Sequence, residues 1–392
     1  MTFVINGDFD GRSVRDWLYQ NGVSRALITR LKRLDDGICV NSSRVTVRYI
    51  LHTGDRLSLA LDDRSDDVNE NLLPCELPLD IIYENDDFVA LNKPAGIATH
   101  PSQGHFRDTL ANGLAAHYQK LGIPFVFRAI NRLDRETSGI VLCAKNQYAA
   151  SRLSDELCAG RIKKTYIALL NGAPEPPSGN ISVYIRRREK SVILREVSSA
   201  EAEGAKLALT EYETLASTAD VAFSNAHTGA VYTDGTLTGA MSTDGTLTGA
   251  MCTDGTLTGA MCTDNAHTGA MSTDVTHTDD IRTSNICCAA VVRAEPLTGR
   301  THQLRVSFAH IGAPIVGDGL YGSAETAPTA FDQLASRHML HAVSLEFSHG
   351  GTHYILRAGL PGDMAELCRL AAPDGLTLDR ANSVETYIEP KP

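Results

Sequence analysis

Ala129-Ile-Asn-Arg-Leu-Asp-Arg-Glu-Thr-Ser-Gly139 runs directly into Ile140-Val-Leu-Cys-Ala144. The Thr-Ser-Gly turn and the short apolar run after it predict a buried strand entered through a tight turn. Asp134 stands just before that turn. It has two readings. A local one lets the carboxylate accept hydrogen bonds from the turn backbone. A chemical one places a carboxylate at the entrance to a buried strand. The segment alone does not choose between them.

From residue 79 onward the pattern is a mixed α/β region. Upstream, strands are predicted at Leu79–Glu84 and Phe88–Asn92, with a helix from Thr109 to Leu121 that puts Leu110, Leu114 and Tyr118 on one face. Downstream, a helix from Gln147 to Cys158 ends at Gly160. Further strands are predicted at Lys164–Leu170, Ala208–Leu215, Cys287–Arg293 and Val343–Phe347.

Two more polar clusters lie on this frame. Arg161-Ile-Lys-Lys-Thr-Tyr166 opens a strand on which Lys164, Tyr166 and Ala168 share a face. Tyr166 is either an ordinary core tyrosine or a ring presented to a nucleobase. The third cluster is Thr298-Gly-Arg-Thr-His-Gln-Leu-Arg305, followed by Pro314-Ile-Val-Gly-Asp-Gly-Leu-Tyr-Gly322. A surface ion pair at a helix start explains poorly so many polar groups beside Leu304 and Val306.

The three clusters, in this order, resemble the signature of the RluA family of pseudouridine synthases: Arg-Leu-Asp with Thr-Ser-Gly, then Lys-x-Tyr, then Thr-Gly-Arg-x-His-Gln-Leu-Arg. Asn92-Lys-Pro-Ala-Gly96 with His100-Pro101 fits the family's opening segment, and His338-Met-Leu-His-Ala342 its closing one. Asn131 stands where the family often has histidine. The resemblance implies an α+β fold: a catalytic domain on a mixed, largely antiparallel sheet, preceded by a small S4-like α/β domain. It also implies the reaction, isomerisation of uridine in RNA to pseudouridine.

That reaction detaches uracil from C1′ and rejoins it through C5, adding and removing nothing, so no cofactor and no metal is expected. The resemblance makes Asp134 the catalytic carboxylate, as nucleophile at C1′ or base at C2′. It makes Arg305 a bidentate counter-charge that keeps Asp134 ionised and aimed, and Tyr166 the platform for a flipped uracil. Arg132 resembles the arginine that fills the vacated stack. Arg300, His302 and Gln303 are expected to contact phosphate or line the pocket. Two competing readings are a non-catalytic RNA-binding assembly protein and a hydrolytic glycosidase. The first is disfavoured by the joint presence of Asp134, Tyr166 and Arg305. The second needs a partner carboxylate, for which only Glu136 is near in sequence.

The overall charge of −11 argues against a nucleic-acid partner until its distribution is considered. Residues 61–88 carry ten acids and one base, and residues 220–280 carry eight acids and no Lys or Arg. Residues 1–60 hold nine bases against six acids, and 125–190 twelve against six. Base is thus concentrated on the expected folded parts. In residues 1–61 Ser13 and Ser24 are placed to cap two helices. The second has Leu27, Ile28, Leu31 and Leu34 on one side and Arg25, Arg30, Lys32 and Arg33 on the other. Short strands are expected to follow. The S4 resemblance makes that basic face an RNA contact.

Residues 62–78, acidic with two prolines, are expected to be a flexible linker. The catalytic domain is expected over 79–362 and a tail over 363–392. Residues 220–285 interrupt the domain with about five copies of a ten-residue repeat of the type Gly-Ala-Met-Ser-Thr-Asp-Gly-Thr-Leu-Thr. Each copy offers little to bury, so disorder is expected rather than a β-solenoid, at the tip of a hairpin. Nine cysteines without a Cys-x-x-Cys pair, no leader and no long apolar run predict a reduced, cytoplasmic protein away from membranes, and a monomer is expected. Its expected partner is ribosomal or transfer RNA.

Overall fold

In the computed structural model the described residues are 1–102, 104–218, 230–233, 236–241, 247–253, 256–260, 288–322, 328–372 and 383–388. The chain divides into two compact units. One comprises Met1–Thr165, His341–Pro361 and Asp379–Pro392; the other comprises Tyr166–Leu340 and Gly362–Leu378.

The first unit begins with a small module. Strands β1 (Thr2–Val4), β2 (Ile38–Val40), β3 (Ser43–Arg44) and β4 (Arg56–Leu59) form an antiparallel sheet in the order β1-β4-β2-β3. Helices α1 (Val14–Gln20) and α2 (Arg25–Arg33) start where Ser13 and Ser24 accept from the backbone N–H of Asp16 and Leu27. Each cap contributes about 1 kcal/mol. Val14, Trp17, Leu18, Leu27, Ile28 and Leu31 close over the sheet on Ile5, Ile38, Leu57 and Leu61.

The rest of this unit is built on a mixed sheet. It comprises β5 (Ile81–Glu84), β6 (Phe88–Lys93), β7 (Ser138–Ala144), β17 (Leu340–His349), β18 (Thr352–Arg357) and β19 (Ser383–Ile388), neighbours in that order. Only the β7–β17 pairing is parallel. All of β7 is buried, which is why its sequence reads as a continuous apolar run. Helix α3 (Leu110–Lys120) buries Leu110, Leu114 and Tyr118, and α4 (Gln147–Cys158) sends Ala149 and Leu153 into the core around Phe88, Ile140 and Leu142.

The second unit carries an antiparallel sheet. Strands β8 (Lys163–Asn171), β9 (Ser178–Arg187), β10 (Arg195–Ser198), β11 (Lys206–Ser217) and β16 (Ala289–Pro296) lie in the order β10-β9-β11-β16-β8. Helices α5 (Gln303–His310), α6 (Ala330–Leu334) and α7 (Gly362–Ala371) complete it. Strands β9 and β10 had no sequence signal strong enough to predict them: alternation in β9 is broken by Gly179 and Asn180.

One expectation needs correction. Residues 62–78 are not a loose tether: Asp63 is buried, residues Ser65–Asp67 form a 3-10 turn, and the Leu73 carbonyl accepts from Asn112 Nδ2 at 2.7 Å. Acidic composition suggested solvation, but Asp63, Asp67 and Glu76 pair with Arg128, Arg30 and Lys120. In the repeat segment, β12 (Ala230–Thr233), β13 (Thr236–Met241), β14 (Leu247–Thr253) and β15 (Thr256–Ala260) pair antiparallel in sequence order. The expectation of disorder over 220–285 falls largely on residues outside the described ones. Thr233 pairs with Thr236 and Thr253 with Thr256, each pair flanking an Asp-Gly dipeptide, the strongest short hairpin signal. The remainder of the insert lies outside the described residues. Its flanking strands are neighbours, with Ser217 opposite Ala290.

Candidate active site

The loop bearing Asp134 is tied down from several sides. Asn131, buried, donates Nδ2 to the Ile140 carbonyl at 2.9 Å and accepts from the Leu142 N–H at 2.8 Å. It thus acts as a strand edge in miniature, which accounts for a residue that departs from the family pattern. Thr99 Oγ1 donates to the Leu133 carbonyl at 3.0 Å, and the Thr137 N–H donates to the Asp134 carbonyl at 3.1 Å. Lys93, wholly buried, gives Nζ to the carbonyls of Pro94 and Ile97 at 2.8 Å each and of Arg135 at 3.0 Å. A buried ammonium is tolerable only with such partners. Here it binds the segment after β6 to the residue that follows Asp134. The sequence flagged Asn92–Gly96 but gave Lys93 no task.

Beyond the turn, Ser138 and Gly139 pair with His341 and Ala342 in register. Ser138 Oγ lies 2.9 Å from His341 Nδ1, and His341 Nε2 lies 3.3 Å from the Ala358 carbonyl. Gly139 has φ +111°, and a Cβ there would stand 2.3 Å from the Ala342 oxygen. Only glycine fits so close an approach. Asp134 is partly buried and Arg132 is exposed. His100 is held below the ordinary histidine range, first by burial and then by the charge of Arg132. Glu136 receives Arg135 Nε at 2.8 Å.

In the second unit, Tyr166 sits on β8 opposite Ala294 and is 9% exposed. Two positions earlier, burial holds the Lys164 ammonium below its ordinary range. The third cluster folds as a turn into α5. His302 caps the helix with φ 57°, a left-handed conformation that is costly for a side-chain-bearing residue. Its Nδ1 lies 2.7 Å from the Tyr321 hydroxyl.

Arg305 and Asp318 form a closed fork. Nε reaches Oδ2 and Nη2 reaches Oδ1, both at 2.7 Å. The side chains are 6% and 0% exposed. The guanidinium also lies over the Tyr321 ring, 5.1 Å from its centroid. Burial alone would raise the Asp318 carboxyl; the Arg305 hydrogen bonds and charge outweigh it and hold the group below the usual carboxylate range. Asp318 is thus a bidentate partner of Arg305 that the sequence reading, which paired Arg305 with Asp134, did not name. The signal was there, in the quoted Gly317-Asp-Gly319, but nothing in one sequence says which acid an arginine takes.

Two of the expected RNA contacts are engaged within the protein. Gln303 is buried, its Oε1 accepting from Thr298 Oγ1 at 2.8 Å and the Arg300 N–H at 2.9 Å. Its Nε2 gives 2.8 Å to the Leu209 carbonyl and 3.1 Å to Thr210 Oγ1. An amide has two donors and two acceptor positions, so none remains for phosphate. Arg30 turns away from Arg25, Lys32 and Arg33, which stay exposed, to pair with Asp67 and donate to the Asp62 carbonyl at 3.2 Å. Arg300 is exposed and spends Nε on the Leu207 carbonyl at 2.9 Å.

Among the described residues no cluster of three or more His, Cys, Asp or Glu is placed to hold a metal ion, and no helix is long and apolar enough to cross a membrane.

The model of a family described as RNA pseudouridylate synthase matches residues 87–310, more than half of the chain. An uncharacterized RNA pseudouridine synthase of Bacillus subtilis, YjbO, is 28% identical over 359 residues, covering 91% of this chain and 98% of its own. Ribosomal large subunit pseudouridine synthase D of Borreliella burgdorferi is 27% identical over 301 residues, 76% of this chain and 69% of its own. A solved human structure, RNA pseudouridylate synthase domain containing 1, aligns with TM-score 0.46 and 23% identity over 72% of this chain and 84% of that one.

Proposed function

Since the chain belongs to the RNA pseudouridylate synthase family, of RluA type, and is an isomerase acting on RNA, we propose that it converts specific uridines of large-subunit ribosomal RNA through Asp134, without a cofactor. The ribosomal assignment is supported by relatives named for the ribosomal large subunit. Transfer RNA is the other candidate substrate. In this reading Asp134 assists cleavage at C1′, Tyr166 supplies the ring on which the extruded uracil stacks, and Arg305 is the buried cation of the machinery. A stacked base gains about 1–3 kcal/mol. Arg132, His302 and Arg300 contact the RNA strand.

The observation that carries the reading is the contrast at Asp134. The backbone around it is fixed by buried Lys93, Thr99 and Asn131, which bind the carbonyls of Arg135, Leu133 and Ile140, while the residue itself is only partly buried. Rigid support around a partly buried carboxylate is what pre-organised catalysis needs. Residues 1–61 serve as an S4-like RNA-binding module that engages phosphates through Arg25, Lys32 and Arg33.

Mapping pseudouridines in cellular RNA with and without the gene tests the substrate assignment. Loss of one or more sites in large-subunit ribosomal RNA is expected. Loss confined to transfer RNA would move the enzyme to that substrate. Free uracil released from RNA by the purified protein would instead support a hydrolase.

A further inference from the structure

Asp63 follows closely on Leu61, which is buried in the core of the N-terminal module. Its carboxylate is 1% exposed and accepts three hydrogen bonds: from the Val126 N–H at 2.9 Å, Arg128 Nη1 at 2.8 Å and Arg128 Nη2 at 2.7 Å. Arg128 opens the strip of chain that ends in Asp134. That strip runs along β7, with the Ala144 N–H donating to Arg128 at 2.9 Å and the Ile130 N–H donating to Leu142 at 2.8 Å. No slack chain separates the module from the strip that carries the candidate carboxylate.

Two further contacts make the attachment rigid rather than a pivot. Arg30 on α2 pairs with Asp67. On the other side, Tyr148 of α4 packs edge-on to Phe3 at 6.1 Å between ring centroids and donates its hydroxyl to the Asn21 carbonyl at 3.3 Å. A buried, doubly hydrogen-bonded pair is a poor device for adding stability, because desolvation offsets most of its attraction, and is better at fixing geometry.

We infer that Asp63 is a positioning residue: its fork with Arg128 fixes the orientation at which the exposed Arg25, Lys32 and Arg33 present RNA to the strip that ends in Asp134. The inference rests on the reading of those three side chains as RNA contacts. Two sites held at a fixed spacing bind a long ligand with high effective concentration, and that advantage falls when the connection loosens.

The test uses the full-length enzyme, RNA from cells lacking the gene, and a short stem-loop cut from the mapped site. Asp63→Ala is expected to raise KM for the long RNA about ten-fold with kcat little changed, and to leave the stem-loop kinetics alone. Arg128→Lys keeps the charge and loses the fork; it serves if Asp63→Ala folds poorly, with a smaller rise in KM. In an Arg25→Ala/Lys32→Ala/Arg33→Ala background, Asp63→Ala is expected to add nothing, because it acts through that face. An additive loss, or equal loss on both substrates, would show a general structural role and overturn the inference. An unchanged KM for Asp63→Ala, in an enzyme whose triple variant binds long RNA weakly, overturns the inference alone. An unchanged KM for the triple variant removes the RNA face itself, and the inference with it.

Discussion

Arg305 is committed to Asp318 through two parallel hydrogen bonds of 2.7 Å, with both side chains out of solvent. The buried arginine of the third motif is therefore itself held by a second residue, whose carboxylate also accepts from the Leu320 and Tyr321 N–H groups at 3.0 and 3.2 Å. Asp318→Ala is expected to destabilise the fold by about 3–5 kcal/mol, read by urea denaturation, and to lower activity even where the protein stays folded. Asp318→Asn, which keeps the shape, is expected to cost less. Wild-type stability for Asp318→Ala would refute the buried-pair account.

The same pair sets a pH dependence. The folded-state carboxyl of Asp318 lies below its ordinary value, near 3.9 in an unfolded chain. Its contribution is fully present above that ordinary value and is lost as pH falls through the lower folded one. The stability gap between wild type and Asp318→Asn is therefore expected to be flat at neutral pH and to close in strong acid. A gap that closes between pH 6 and 8 would point to a different group.

Gln303 separates a structural from an RNA-contacting role. Its four hydrogen bonds join the turn before α5 to β11. Gln303→Ala is expected to lower stability by about 2–4 kcal/mol, seen as an earlier thermal transition. A phosphate contact would give the opposite pattern, a raised KM for RNA at unchanged melting temperature.

Gly139→Ala is expected to be the most disruptive of the small changes. The added methyl meets the Ala342 backbone, and the residue already has a positive φ. A cost of about 3 kcal/mol or more is expected, with expression largely insoluble. A soluble, active Gly139→Ala protein would mean that the β7–β17 pairing is looser than described.

The repeat segment is expected to be dispensable. Thr218 Oγ1 accepts from the Ala289 N–H at 2.9 Å, beside the last β11–β16 pairing. Replacing 225–280 with a short Gly-Ser turn is expected to leave RNA turnover within about two-fold, because loop length costs little in closure entropy. Loss of turnover with a preserved fold would assign the repeats a role in substrate handling.

Much of this architecture was legible because its signals are local. Ser13 and Ser24 cap the helices they were expected to cap, and α4 runs from Gln147 to Cys158 as its spacing indicates. The apolar run Ile140–Ala144 of β7 reads as buried because the whole strand is. What stayed hidden is pairing between residues remote in sequence. Asp63 with Arg128 and Arg30 with Asp67 turn an acidic stretch into a fitted connection, and composition alone could not tell solvated acids from paired ones. The hydrogen bonds of Gln303 stayed hidden for a similar reason: a polar side chain in a motif looks the same whether it serves substrate or the fold.

The most direct test of the central claim is single-turnover pseudouridine formation by Asp134→Asn on the mapped RNA. The substitution keeps the volume and the backbone bonds that hold the loop, so thermal melting is expected to stay close to wild type while the rate falls by at least about 10³-fold. A folded Asp134→Asn enzyme that forms pseudouridine at close to the wild-type rate would contradict the account.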